Sequence, residues 1–380
     1  MTTPQSPRRH RRRLRTVLAV GVSAAVLLPV GPATASRSEE PTVVGHRGAS
    51  AYRPEHTLAS YDLAARQGAD VIEPDLVSTS DGQLVVRHEN EISGTTDVAS
   101  HPEFADRKTT KTVDGVELTG WFTEDFTLAE IKTLRAVERL PDLRQENTIW
   151  NGRFEVPTFE EVLDEREDLS AELDRSIGII PEIKHSTYFQ GLGLPMEAKV
   201  VAALKKHRLN RPGSVATVQS FELTNLRELR RRYGLRADSV FLTSATGAPA
   251  DLVAAGDPRT YADLLTPESL KTISRYVTDL GPSLDQVIPR NADGTLGTPS
   301  RLVADAHRAG LDVVPYTLRP ENSFLPVDYR TGTDPAAYGR VLDLGVAYFA
   351  TGIDGLFTDA PDIGVAARDE FLASGEEAAA

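Results

Sequence analysis

The chain contains no cysteine. Disulfides, thiol nucleophiles and thiolate metal sites are therefore excluded, and the fold must hold without cross-links. There is also no apolar run long enough to cross a bilayer as a helix. The run from Thr16 to Val30 covers 15 residues, short of the ~20 that a span requires. Basic charge is not in excess either: the formal net charge is −13, which disfavours sequence-independent binding to nucleic acid. No Gly-x-Gly-x-x-Gly follows a first strand, which weakens a dinucleotide-binding reading. No repeat of solenoid length is visible.

What is present begins with a tripartite leader. The basic stretch "RRHRRRLR" precedes the apolar run, and Ala33-Thr34-Ala35 supplies a small-x-small cleavage pattern. Residues 1–35 therefore read as a cleaved signal peptide, with 36–41 as a linker. The mature chain is expected in a secreted, periplasmic or cell-wall location, and the paired arginines leave twin-arginine export open. Cleavage removes six arginines and no acids, which moves the charge from −13 to −19. A protein so acidic would repel an anionic substrate unless something local, such as a bound cation, reversed the sign.

From Thr42 onward, short β-rich runs alternate with amphipathic helical ones. The expected strands are Val43–His46, Val71–Val77, Leu84–His88, Gly178–Lys184, Val215–Gln219, Ser239–Leu242, Asp312–Thr317 and Gly355–Phe357. The expected helices are Thr57–Gln67, Thr158–Glu167, Met196–His207, Glu222–Tyr233, Pro267–Val277, Ser300–Ala309 and Asp334–Leu344. Thr127 to Glu130 and Thr158 to Glu161 fit capping boxes. Gly68, Gly234, Gly310 and Gly345 stand where helices should stop. This alternation predicts an α/β fold, a (β/α)₈ TIM barrel over 42–365, rather than an open doubly wound sheet. Residues 366–380 read as a flexible C-terminal tail. Glu91–Phe126, after the third strand, is the longest of three expected loop insertions; the others are His185–Pro195 and Arg319–Pro335. Asp81-Gly82 reads as a two-residue hairpin turn. That turn would pair Ser80 with Gln83 and set Asp75 opposite His88.

Polar residues gather at strand ends as His46-Arg47, Glu73-x-Asp75, His88-Glu89 and Glu182-x-Lys184. Residues i and i+2 of a strand point the same way, so Glu73 and Asp75 form a carboxylate pair and Glu182 shares a face with Lys184. Three carboxylates without cysteine or histidine at ligand spacing suit a hard cation, calcium or magnesium. The nearby histidines and arginine suit acid–base chemistry on an oxyanion.

The stretch "GHRGASAYRPEHTLASYDLAARQGADVIEPDL", followed by "DGQLVVRHE", "PEIKHS", "VQSFE", "VPYTLRPEN" and "GIDGLFTDAPD", resembles the glycerophosphodiester phosphodiesterase family over most of Thr42 to Pro361. The insertion beginning "SGTTDVA" is similar to that of its exported, calcium-using branch. The resemblance implies a barrel of the phosphatidylinositol-phosphodiesterase-like kind. It implies a metal on Glu73, Asp75 and Glu182, His46 and His88 as the acid–base pair, and Arg47 and Lys184 on the phosphate. It further implies attack by the substrate's own glycerol hydroxyl, a cyclic phosphate, and release of an alcohol and glycerol 3-phosphate. Glu89 stands where Asp is commoner in the family, and Tyr316 where many members have Trp. Rival readings are a hydrolase of polymeric glycerophosphate such as teichoic acid, and a non-catalytic binder of glycerophosphodiesters. No nucleic-acid partner or membrane insertion is expected, and the sequence leaves oligomeric state open.

Around this set, Tyr316 is expected to wall the substrate, and Phe221 is divided between wall and core. His56 reads first as part of the helix start, with the site wall as the alternative. Glu55 stays open between loop and site support, and Asp359 reads as a turn or cap residue. His185 is a rim residue that could contact phosphate or the leaving group. His101, His207 and His307 are expected to be solvated.

Overall fold

The computed structural model describes residues 40–379. The expected signal peptide, and all but the end of the linker after it, lie outside the described residues. No described helix is long and apolar enough to cross a membrane.

Thirteen strands occur among the described residues: β1 (Thr42–His46), β2 (Val71–Glu73), β3 (Asp75–Ser78), β4 (Leu84–Val86), β5 (Thr109–Val113), β6 (Val116–Gly120), β7 (Gly178–Ile179), β8 (Glu182–Ile183), β9 (Thr217–Ser220), β10 (Asp238–Thr243), β11 (Asp279–Pro282), β12 (Asp312–Val313) and β13 (Gly355–Thr358). Parallel pairing runs β13-β1-β2-β7 in one sheet and β12-β11-β10-β9-β8-β3 in the other, with β4 antiparallel on β3. Pro74 and Pro181, which have no N–H to donate, divide what would be two continuous strands into β2/β3 and β7/β8. Their carbonyls still accept from the neighbouring strand, Glu182 N at 2.9 Å and Gln219 N at 2.9 Å. The ring closes where Leu318 N donates to Phe357 O at 2.8 Å and Asp354 N to Val313 O at 2.8 Å. Eight parallel staves result, the TIM barrel expected.

One expected strand needs correction and one stave lies outside the expected set. Leu84–His88 is an antiparallel hairpin arm outside the ring, and Asp279–Pro282 supplies a stave although "DLGP" ends in Gly-Pro. The hairpin register also differs by one residue. Leu76 pairs with Val86 and Ser78 with Leu84, and Thr79 N donates to Gln83 O at 3.0 Å. The loop is therefore Ser80-Asp81-Gly82, a turn closed by Gly82 N to Thr79 O with Gly82 at φ +73°, the three-residue hairpin. Asp75 consequently faces Arg87, whose N–H donates to Asp75 O, rather than His88.

Several helices follow expectation within a residue or two, and both capping boxes form. The last crossover helix is instead Val341–Phe349, with Gly345 inside it, and Asp334–Tyr338 is loop. Gly345 is tolerated because a Cβ there would lie 2.7 Å from the Ala367 Cβ: the close approach, not a helix stop, requires it. Residues expected as a tail belong to the helix Pro361–Ala379, which buries Ala367 and stacks Phe371 on Phe349. The segment Glu91–Phe126 carries its own hairpin, β5–β6, turning at Asp114-Gly115 with φ of +47° and +84°, the geometry of a two-residue I′ turn.

Val44, Ile180, Val240, Leu242 and Phe357 fill the barrel interior. This apolar plug forms the floor beneath the polar strand ends.

Candidate active site

β1 ends in His46 opposite Glu73 of β2. The chain then turns back through Arg47 at φ +60° and Gly48 at φ +87°. A Cβ on Gly48 would sit 2.5 Å from the Ser60 carbonyl carbon, so only glycine allows the loop to lie on the first helix. That turn aims the Arg47 N–H at Glu73 Oε2 (2.8 Å) and its guanidinium at Glu55 (3.0 and 3.2 Å). Burial opposes the guanidinium charge, but Glu55, Asp75 and Glu73 raise its pKa above the ordinary value.

Glu73, Asp75 and Glu182 are buried and converge, each offering an oxygen within 4.8 Å of the others. Burial and the neighbouring carboxylates push Glu73 well up. Burial, opposed by Lys184 but helped by Asp75, pushes Glu182 up to about 8. Asp75 keeps its charge: burial works against it, but His56, Lys184 and His88 hold it well below the usual carboxylate range. Asp75 Oδ1 is buried with no hydrogen-bond partner among the described residues. An all-oxygen donor set, short of positive charge and with one oxygen unclaimed, fits a hard divalent cation.

Lys184 Nζ lies 3.2 Å from Glu182 Oε1 on the same strand end. Gln219, at the end of β9, donates from Nε2 to Glu73 Oε1 at 2.9 Å. Phe221 and Tyr316 pack edge to face at 5.8 Å. His46, Arg47, Glu73, His88, Glu182, Phe221 and Tyr316 thus line one cavity. Asp75 lies beside it, and Lys184 lines the adjoining one. His88 arrives there by extension of the hairpin arm past β4, not by facing Asp75.

Both histidines are held by carboxylates. His46 Nδ1 is 2.6 Å from Asp359 Oδ1, and His88 Nδ1 is 2.9 Å from Glu89 Oε1. With the protons on Nδ1, both Nε2 atoms can accept, and that of His46 lies 3.5 Å from the Thr317 hydroxyl. Burial, reinforced by Arg47, brings the His46 pKa down to about 4. Burial with Arg47 and Lys184 brings His88 to about 3, so both imidazoles rest neutral.

The support of the site was the part least foreseen. Asp359 is no mere cap: it also takes Arg144 Nη2 at 2.6 Å, with Arg144 held in turn by Glu321 at 2.6 Å. His56 is not the helix cap, a role that Thr57 fills. Fully buried, it donates from Nε2 to Asp75 at 2.9 Å and receives the Tyr61 hydroxyl on Nδ1 at 2.8 Å. Glu55 supports the site, binding both Arg47 and Arg139. A signal for Asp359 existed in the closed ring itself: Gly45 pairs with Thr358, so the next residues, His46 and Asp359, must meet. His207 is largely buried against Glu160, and His307 bonds Asp354; neither reaches the site. His185 joins Glu89 to Asp114.

The family model described as "Glycerophosphoryl diester phosphodiesterase family" matches residues 46–363. The chain belongs to this family. Membership makes it an enzyme, a glycerophosphodiester phosphodiesterase of the phosphoric diester hydrolases. It is 35% identical over 344 residues to the glycerophosphodiester phosphodiesterase GDPD6 of Arabidopsis thaliana, covering 85% of this chain and 84% of that one. The glycerophosphodiester phosphodiesterase of Haemophilus influenzae is 30% identical, with 87% and 89% covered. Among solved structures, a glycerophosphoryl diester phosphodiesterase from Silicibacter pomeroyi superposes with a TM-score of 0.60 at 21% identity, covering 88% of this chain and 95% of that one. An Oleispira antarctica phosphodiesterase, solved with its product sn-glycerol 3-phosphate, gives 0.53 at 21%, covering 87% and 97%. At these identities the superpositions speak for the fold of the phosphodiesterase family.

Proposed function

We propose that this phosphodiesterase works outside the cytoplasm and splits glycerophosphodiesters such as glycerophosphocholine into an alcohol and sn-glycerol 3-phosphate. The observation that carries the reading is one constellation. Two carboxylate-held imidazoles share a cavity with Glu73, Glu182 and Arg47, Asp75 converges on the same two carboxylates, and Lys184 stands beside them. The product of the Oleispira relative supports the product class. Export rests on the leader at residues 1–35.

Glu73, Asp75 and Glu182 would hold a divalent cation, calcium by preference and magnesium as the alternative, since an exported site meets abundant calcium. Such a cation supplies positive charge to the phosphate oxygens and eases deprotonation of a nearby hydroxyl. Arg47 and Lys184 bind the phosphodiester anion against an otherwise acidic protein. One imidazole Nε2 takes the proton of the substrate's glycerol hydroxyl as that oxygen bonds phosphorus. The other, which takes up a proton on Nε2 from solvent as the phosphodiester anion binds beside it, delivers that proton to the departing alcohol oxygen as its bond to phosphorus breaks. Water then opens the cyclic phosphate with the two roles exchanged, so one water is consumed per turnover. Asp359 and Glu89 stabilise whichever imidazole is cationic.

A coupled assay for glycerol 3-phosphate release from glycerophosphocholine tests the reading. Chelator should abolish turnover and calcium restore it. His46→Ala and His88→Ala should each lower kcat by about 10²–10⁴-fold, with calcium affinity retained. Either variant at near-wild-type turnover would remove the two-histidine mechanism, and full activity in excess chelator would remove the cation. Mass spectrometry of exported protein should find an N-terminus at or near Ser36; a mature chain still carrying Arg8 to Arg15 would refute cleavage.

A further inference from the structure

A second cavity, of about 400 Å³, adjoins the catalytic one. Phe221 lines both and forms the partition. Beyond it stand Tyr261, set edge to face against Phe221 at 6.3 Å, and Tyr188. Glu222 lies on the same wall, and Asp114, at the tip of the β5–β6 hairpin, stands at the cavity's edge.

Neither basic group lining this cavity pairs with Glu222. Lys184 lies 3.2 Å from Glu182, and His185 lies between Asp114 and Glu89. Glu222 is buried, and its donors, the Thr187 N–H and hydroxyl, are neutral. Burial above all, with Asp114 and Asp251 adding to it, pushes Glu222 up to about 7. A carboxylate kept at that cost without a cation partner is short of positive charge. Aromatic rings beside a carboxylate that lacks a cationic partner are an environment that recognises an alkylammonium group.

We propose that this cavity receives the leaving alcohol and selects a cationic one, an amino or quaternary-ammonium alcohol, with Glu222 and Asp114 as specificity-determining residues. The inference rests on the phosphodiesterase reading above and adds the class of head group. The catalytic cavity holds the phosphate, and the partition directs the alcohol past Phe221. The head group's positive charge then meets Glu222 and the hairpin tip, while its methylene and methyl groups cover Tyr188 and Tyr261. A head group that carries a carboxylate, as zwitterionic serine does, is disfavoured because that carboxylate would approach Glu222.

Two measurements decide it. The first compares calcium-loaded wild-type protein with glycerophosphocholine and with its neutral isostere, the 3,3-dimethylbutyl ester of glycerol phosphate. kcat/KM should favour the choline ester about tenfold, the range of a partly desolvated cation–π and charge contact. Glu222→Gln and Asp114→Asn should each narrow that ratio by about three- to tenfold. The second uses no turnover: NMR-detected binding of choline itself to the calcium-loaded wild-type chain should be about tenfold tighter than that of 3,3-dimethylbutan-1-ol. Equal kcat/KM for the two esters, or equal binding of the two alcohols, would overturn the proposal. Absence of turnover on every diester would instead overturn the reading of function, and the binding arm would still decide the cavity's charge preference.

Discussion

Asp359 touches three basic groups at once: His46 at 2.6 Å, Arg144 at 2.6 Å and Arg319 at 3.2 Å. Burial opposes its charge, but Arg144 first, then His46 and Arg319, keep the carboxyl well below its ordinary range, so it stays ionised behind the imidazole. In the proposed mechanism it would act on the reaction only through His46, as a positioning residue. Asp359→Asn can still accept from Nδ1 but no longer balances the imidazolium. It should lower kcat by about 10²–10⁴-fold while KM for glycerophosphocholine changes little. Steady-state kinetics at saturating calcium will show the split; a rise in KM with kcat intact would make the residue structural only. The convergence of the three carboxylates was legible in the sequence, because their spacing at strand ends sets them on one face. His56 and Asp359 were not, because each owes its role to a partner 19 and 313 residues away.

At the scale of elements, alternation of strands and helices was readable because each stave carries an apolar run. Asp279–Pro282 escaped because its Gly281 and Pro282 look like turn residues. There Gly281 is demanded by packing, since a Cβ would fall 2.5 Å from a Leu242 methyl. Two Asp-Gly pairs show the limit of local rules. At Asp114-Gly115 both residues take positive φ and make the two-residue turn. At Asp81-Gly82 only the glycine does, because the Asp81 carboxylate is engaged by the Thr79 hydroxyl at 2.6 Å and by Leu128 N at 3.1 Å. The β5–β6 hairpin is tied to the barrel rim by His185. Burial lowers its pKa, but Asp114 and Glu89 outweigh that and raise it to about 9. A raised base binds its proton more tightly in the fold, so its contribution is complete below about 6.5 and is lost as pH climbs through about 9. It is worth at most about 3 kcal/mol. Thermal melts from pH 6 to 10 should therefore fall more steeply for wild type than for His185→Gln; parallel curves would show that the tie is not linked to protonation.

For the whole molecule, the acidic balance and the unmatched carboxylates at the barrel mouth make the fold itself sensitive to cations. A ligand that binds only the folded chain at 100 times its Kd adds about 2.7 kcal/mol, which in a chain of this size is about 5 °C in Tm. Calcium should raise the melting temperature by that order in wild type, and Asp75→Asn should lose most of the shift; an equal shift in the variant would place the stabilising ion elsewhere. The ring is closed between β13 and β1, and that seam carries His46 against Asp359. Synthesis runs from one side of the seam to the other, so His46 leaves the ribosome more than 300 residues before its partner. Until the last stave is made and docked, a nascent chain lacks the carboxylate that holds the imidazole. If His46 works as proposed, the enzyme stays silent during its own manufacture and becomes active only as a finished object.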